Sequence, residues 1–320
     1  MKDNSDNLVY NYLAENANTN PLYYNYVINY ARKDYYVTST LIDAFLQFKD
    51  PRVFTYAEPQ WANNPNTYDP NDVRFNRKLF AGAPWGVDKS KNLGTYIDEE
   101  GNKKAFVPKS IPDIISPLAK NLWANGADFV VFSAAKVKLM EAEAALRGWI
   151  SADAAALYEE GIRLSFEEKD VEGAIAPYET ATYTYEVGEG TAKTPITKTQ
   201  LEWIQEQNHL TLNADDYLAQ PLVQFSGSFD EKLEKIAMQR WLNGFLQNGV
   251  EAWSDWRRLN VPKLKAGAFA EASGITHVPY RKTYHTSDYQ DNKAAHDAIV
   301  AAQGPDTIDT RVWWDVADNN

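Results

Sequence analysis

Two alanine-rich runs joined by a short turn constrain this chain more than any other feature. The first, DFVVFSAAKVKLMEAEAALRGW, is read as helix from its Ala, Leu, Lys, Glu and Met content. Gly148 suits the left-handed residue that closes such a helix. Ser151 or Asp153 can cap the second run, ADAAALYEEGIRLSFEE, whose Ala155, Tyr158, Ile162 and Phe166 fall on one face. Helices joined this tightly pack antiparallel. Ala134, Ala135, Ala142, Ala144 and Gly161 are small enough to let the two backbones approach closely. The pair resembles a tetratricopeptide unit, although one unit does not establish an array.

Other stretches also read as helix. After the aromatic entry NPLYYNYVINYARKDYYV, the cluster Thr38-Ser39-Thr40 can cap a helix carrying the stripe Leu41, Ile42, Phe45, Leu46 and Phe48, which Asp50-Pro51 ends. TYTYEV predicts at most a short strand or hairpin. TKTQLEWIQEQNHLTL predicts a helix. Ser228 and Glu231 form a capping box before a helix whose buried face is expected to hold Leu233, Ile236, Ala237, Trp241 and Phe245, with a stop at Asn248-Gly249. TSDYQDNKAAHDAIVAAQG reads as one further helix. Against these, residues 57–117 are irregular, with Pro59, Pro65, Pro70, Pro84, Pro108, Pro112 and Pro117 recurring among Asn, Asp and Gly. A loop region that long inside a compact domain is usually functional or disordered, and its rings argue for order. The whole of 1–320 is read as a single domain that contains it.

Composition excludes several functions. The net charge is −12 and no Lys/Arg-rich run occurs, which argues against nucleic acid as partner. No apolar run reaches the roughly 18–20 residues of a membrane helix. The start, MKDNSDNLVYNYLAEN, does not read as a signal peptide, so the chain is expected to be cytosolic or a mature or truncated piece. There is no cysteine, hence no disulfide, thiol catalysis, thiolate zinc site or lipid-bearing cysteine in these 320 residues. The outlier is aromatic: 10 Trp, 19 Tyr and 13 Phe point to ring-stacking ligands, sugars above all, although any single ring is first a core residue.

Catalytic motifs are missing. His209, His277, His285 and His296 show no metal spacing, Phe225-Ser-Gly-Ser-Phe229 only superficially resembles a nucleophile elbow, and Gly188-Glu-Gly190 lacks the third glycine of a dinucleotide loop. No cofactor or metal is expected. Carboxylates that could serve acid/base glycoside hydrolysis are Glu141 with neighbouring acids, or Glu251 and Asp255, four apart in NGVEAWSDWRRL. The same stretch carries Trp253, Trp256, Arg257 and Arg258. The expectation is a structural clasp, with both tryptophans pinning a turn into the core and the arginines tied to acids or carbonyls. Glu143 and Arg147 have the favourable order for an i,i+4 ion pair.

Four stretches in sequence order, NPLYYNYVIN with STLIDAFLQFKDPRVF, VVFSAAKVKLMEAEAALRGWISADAAALYEEGIRLSFE, KLEKIAMQRWLNGFLQNGVEAWSDWRRLNVPKL and DTIDTRVWWD, resemble the SusD/RagB-type nutrient-binding outer-membrane lipoproteins of Bacteroidetes, in particular the SusD-like group two. The resemblance implies a mainly α-helical scaffold of tetratricopeptide-like pairs with ligand-binding loops on one face. It implies a lipid-anchored protein on the extracellular face of the outer membrane, capturing glycans for a SusC-like TonB-dependent transporter, without catalysis. Peptide or another nutrient is the alternative cargo, and a glycoside hydrolase the remoter one. Signal peptide, anchor cysteine and N-terminal helices of the family are missing here, so the chain looks like the C-terminal two-thirds of a member. Membrane attachment would run only through an anchor absent from this chain.

The resemblance carries no ligand residue across by position. The candidates come from chemistry: a sugar offers an apolar face and a rim of hydroxyls, met by a Trp or Tyr platform with amides and charges beside it. Residues Trp61, Asn64, Tyr68, Asp72, Arg74, Trp85 and Tyr96 supply that mixture within the irregular region.

Overall fold

The computed structural model describes residues 1–15, 18–29, 35–60, 79–83, 95–97, 103–105, 115–187, 194–246, 249–267, 274–275 and 277–315. In chain order the elements are β1 (Leu8–Tyr10), α1 (Pro21–Tyr23, widening into a π-helical turn over Tyr24–Asn29), α2 (Ser39–Gln47), α3 (Val53–Tyr56), β2 (Thr95–Ile97), β3 (Lys103–Ala105), α4 (Lys120–Trp123), β4 (Phe129–Phe132), α5 (Ala134–Leu146) and α6 (Ala154–Glu168). Then follow α7 (Val171–Thr180), β5 (Thr182–Val187), β6 (Thr194–Thr199), α8 (Gln200–Asn208), α9 (Ala214–Leu218), α10 (Phe229–Asn243), α11 (Gly249–Leu259), α12 (Thr286–Asp291) and α13 (Lys293–Gln303). The fold is mainly α, as expected. Among the described residues the strands pair as two-stranded antiparallel ribbons, β1 with β4, β2 with β3 and β5 with β6.

The α5–α6 hairpin is capped as its sequence demands. Ser133 Oγ accepts the amide of Lys136 to open α5. Gly148 takes a φ of 73° just past its end, and Asp153 Oδ1 accepts the amides of Ala155 and Ala156 to open α6. The close approach is real: a Cβ on Gly161 would stand 2.8 Å from Leu139 Cγ. Buried Tyr158, Ile162 and Phe166 of α6 join Leu139, Ala142, Ile236, Leu242, Ile204 and Tyr217 in one core cluster that reaches back to Val37, Leu41, Ile42 and Phe45.

Several boundaries differ from expectation for tertiary reasons. Residues 129–132 do not begin the helix; they form β4, because β1 offers an antiparallel partner, with Tyr10 opposite Phe129. Sheet pairing overrides local propensity there. The inward face of α10 is set by Ile236, Ala237, Gln239, Leu242 and Asn243, while Leu233, Trp241 and Phe245 are half-buried. Two of those inward positions are polar, for a reason given below. Gly249 is no stop; it opens α11. The C-terminal helix is two helices, α12 and α13, broken at Asn292, which leaves helical geometry with φ −142° and ψ 55°.

The stretch from Gly249 to Leu259 is therefore a helix rather than a turn, and its two tryptophans do different work. Trp256 is 3% exposed and stacks on Tyr280 at 6.1 Å. Trp253 is half-exposed, which corrects the expectation that both are core residues. Its Nε1 donates to Pro279 O at 2.7 Å, and the Arg257 guanidinium lies 4.0 Å above its ring. Arg257 Nη1 donates to Tyr280 O, and its guanidinium also lies 4.8 Å from the centre of the Trp314 ring. Tyr280 also carries His277, stacked at 4.3 Å, and Arg311 at 3.9 Å. Tyr280 is thus the centre of the contacts that fasten the C-terminal segment to α11, with Pro279 and Trp314 beside it.

Candidate functional site

The irregular region is anchored at a knot of four extended segments. Ala83 N donates to Val37 O at 2.7 Å and Ser39 N to Ala83 O at 2.8 Å. Gln60 N donates to Leu79 O and Ser116 N to Ala81 O, both at 2.8 Å. Glu58 N donates to Pro117 O at 2.9 Å and Ala119 N to Tyr56 O at 3.1 Å. These bonds answer backbone groups that burial would otherwise leave unpaired. Leu79 and Phe80 are 2% and 0% exposed, and Phe80 meets Phe54 edge-on at 5.4 Å. Gly82 is obligatory here: a Cβ on it would fall 2.3 Å from Ser39 N. The sequence between Gln60 and Ile115 is thus held at Leu79–Ala83 as well as at both its ends.

Of the candidate ligand residues, Trp61, Asn64, Tyr68, Asp72, Arg74 and Trp85 lie outside the described residues. Tyr96 lies in β2, in register with Lys104 of β3.

Beside the knot runs a groove of 620 Å³ between α2 and α10. Phe48 and Trp241 supply rings, while Asp43, Gln47, Glu234 and Lys263 supply polar groups. Thr40, another lining residue, follows Ser39, whose amide holds Ala83. The groove begins one residue from the anchorage. Rings beside amide, carboxylate and ammonium groups are what a saccharide's two kinds of surface require. Reading Trp241 and Phe48 as buried-face residues concealed this: both pack partly against the core and also line the groove. The signal available in sequence was only that α2 and α10 each carry a ring beside charge, and their juxtaposition is tertiary.

The carboxylates of NGVEAWSDWRRL are structural. Glu251 is largely exposed and lies 3.5 Å from Lys136 Nζ. Asp255 receives Arg240 Nη2 at 2.6 Å and Arg258 Nη2 at 3.2 Å. Both arginines continue to Glu143, which also pairs with Arg147 Nε at 2.8 Å, the i,i+4 pair expected from sequence. Arg258 meets Glu143 with two nitrogens, Nη2 at 2.8 Å from Oε2. Burial works to raise the Glu143 carboxyl, but the hydrogen bonds and charges of Arg258 and Arg147 hold it below its ordinary value. Asp255 is locked between two cations, a poor posture for a proton donor or a nucleophile. Among the described residues no group of three or more His, Asp or Glu side chains is placed to hold a metal. Among the same residues no helix is long and apolar enough to cross a membrane.

Deeper in the scaffold is a cluster that the sequence did not announce. Arg52 and Asp50 are both 0% exposed. Arg52 Nε donates to both Asp50 oxygens, at 3.0 and 3.1 Å, and Nη2 to Asp50 Oδ2 at 2.6 Å. Nη1 donates to Ser165 Oγ at 2.8 Å and Nη2 to Gln239 Oε1 at 2.7 Å. Asn243 Oδ1 accepts from Ser165 Oγ, which completes the polar stripe of α10. Burial opposes the cation, yet Asp50 beside it keeps the guanidinium above its ordinary value.

The described residues form a mainly helical, hairpin-built scaffold with an anchored loop region. The chain matches the family described as SusD-like, the SusD and RagB outer membrane lipoproteins, over residues 1–315, and it belongs to that family. A SusD homolog from Bacteroides fragilis NCTC 9343 superposes with a TM-score of 0.65 at 22% identity, covering 98% of this chain and 58% of its own. A structure described as a chitin-binding protein gives 0.65 at 24% identity, with 99% and 56% covered. A SusD homolog from Bacteroides ovatus ATCC 8483 gives 0.63 at 23%, with 99% and 57% covered. The chain therefore spans somewhat over half the length of these relatives. No curated protein matches it.

Proposed function

We propose that residues 1–320 act as one SusD-like unit that binds a glycan without turning it over and hands it to a TonB-dependent transporter of the outer membrane. The observation that carries this is the groove with Trp241 and Phe48, set one residue from the anchored base of a loop region rich in Trp, Tyr, Asn and Asp. Family membership supports a nutrient-binding outer-membrane role, and one similar structure is described as chitin-binding. The arginine-locked Asp255 speaks against the glycosidase alternative. Trp61 and Trp85 are assigned to the platform, with Asn64, Tyr68, Asp72, Arg74 and Tyr96 at its rim.

Calorimetry against a panel of oligosaccharides, chito-oligosaccharides included, tests the reading. Trp61→Ala with Trp85→Ala is expected to weaken binding at least about tenfold, since ring stacking with its hydrogen-bonded rim is worth more than about 1.4 kcal/mol. Silence across the panel, or unchanged affinity in the double variant, defeats it. Turnover of any glycoside that disappears in Glu251→Gln would restore the hydrolase.

A further inference from the structure

Asparagine followed by glycine is chemically labile, because no Cβ shields the backbone amide beside the carboxamide. Three such pairs occur: Asn125-Gly126, Asn243-Gly244 and Asn248-Gly249. Asn248 lies outside the described residues. The other two stand in opposite surroundings. Asn243 is 6% exposed, its Oδ1 accepts from Ser165 Oγ at 2.7 Å, and the Gly244 amide donates to Trp241 O at 3.1 Å. Both reacting groups there are engaged. Asn125 is exposed, in a turn closed by one bond from Ala127 N to Ala124 O at 2.9 Å. Gly126 supplies the φ of 81° that this turn uses. Among the described residues nothing accepts the Gly126 amide. The Asn125 carboxamide makes a single contact among them, Nδ2 to Ala14 O at 3.4 Å, longer than an ordinary hydrogen bond.

We propose that Asn125 is a site of spontaneous deamidation, and that its isoaspartyl product loosens the anchorage of α1. The Gly126 nitrogen attacks Asn125 Cγ. A C–N bond forms, the Cγ–Nδ2 bond breaks, and Nδ2 leaves as ammonia with the Gly126 amide proton. Water opens the resulting succinimide at either carbonyl, giving aspartate or isoaspartate. No other reactant is consumed. Isoaspartate lengthens the main chain by one atom just before Ala127. Ala127 O accepts from Asn20 Nδ2 at 2.8 Å, and Asn20 is 5% exposed. Asn20 Oδ1 in turn accepts the amides of Leu22 and Tyr23 that open α1. A longer main chain displaces Ala127 and draws on the Asn20 contact. Asn20, Asp128 and Phe129 also line a cavity of 570 Å³ beside the β1–β4 ribbon, so the modification alters that wall.

The full chain is incubated in mildly alkaline buffer, folded and in urea, and aspartate and isoaspartate are located by peptide mapping with fragmentation. In the folded chain Asn125 is expected to react more than about tenfold faster than Asn243. The first needs only local opening of an exposed turn, the second an opening of the core. In urea the two should react at comparable rates. The side-chain amide resonance of Asn20, followed by NMR, should shift in the isoaspartyl fraction. Asn125→Gln should remove both the product and the shift. Asn125→Asp adds the carboxylate without lengthening the main chain, and should move that resonance less. An Asn125 no faster than Asn243 in the folded chain, or a rate ratio unchanged by urea, would overturn the proposal. So would an Asn20 resonance untouched by isoaspartate, or moved as far by Asn125→Asp.

Discussion

Two arginine clusters hold this scaffold together, and they differ in how much water reaches them. Around Arg52 there is none: Asp50, Ser165, Tyr217 and Gln239 enclose the guanidinium at 0% exposure, with the Phe166 ring 5.2 Å away. Around Glu143 three arginines converge; the carboxylate and Arg240 are 6% and 7% exposed, but Arg258 is 38% exposed and Arg147 24%. The residue types are the same and the consequences are not. In the first cluster each partner prevents another from being stranded in a low dielectric. In the second, solvent can take over part of what a lost partner gave.

The sharpest way to break this comparison is Arg52→Met. It strands the Asp50 carboxylate, so a loss of about 3–5 kcal/mol is expected in urea unfolding. Combining it with Asp50→Leu removes the stranded charge, and the double variant should be more stable than Arg52→Met alone. A double variant no better than the single would mean that the ion pair itself, rather than the penalty of breaking it, carries the stability.

The tryptophans of α11 extend the comparison to apolar burial. Trp256→Ala should cost about 3–5 kcal/mol, the usual range for a buried ring. Trp253→Ala should cost about 1–2 kcal/mol, the sum of one hydrogen bond and one exposed cation–π contact. Equal losses would show that Trp253 is buried more deeply in solution than its half-exposed position implies.

The smallest effect is expected at Glu143 and is read through pH. Its carboxyl is depressed in the folded chain by Arg258 and Arg147, against the pull of burial. The stability this adds is fully present above the ordinary carboxylate range and is lost as pH falls through the depressed value. Glu143→Gln should therefore be less stable at neutral pH and show a shallower acid limb, with the two curves converging in acid. Parallel curves would place the acid sensitivity elsewhere.

Much of the frame was legible because it rests on local rules. Asp153, Gly148 and the Ser228–Glu231 box mark helix ends within four residues of themselves, and all three act as their types require. The box at Thr199 and Glu202 is equally local and passed unnoticed inside a run read simply as helix. The Glu143–Arg147 pair followed from helical spacing, whereas Arg240 and Arg258 reach the same carboxylate from positions 97 and 115 residues away. No spacing rule announces that. Trp253 and Trp256, three apart, looked equivalent; packing Tyr280 onto one face of α11 separated them.

The sequence by itself determined that the chain is mainly helical and where several helices start or stop, because propensity, capping and periodicity each act within one or two turns. Four stretches in order also resemble the family to which the chain belongs. Only the tertiary structure decided that Phe129–Phe132 is a strand, that Arg52 is buried among Asp50, Ser165 and Gln239, and that Phe48 and Trp241 share a groove. Each of these depends on contacts between segments far apart in the chain, and distant pairing and burial outweigh the smaller local preferences wherever the two compete.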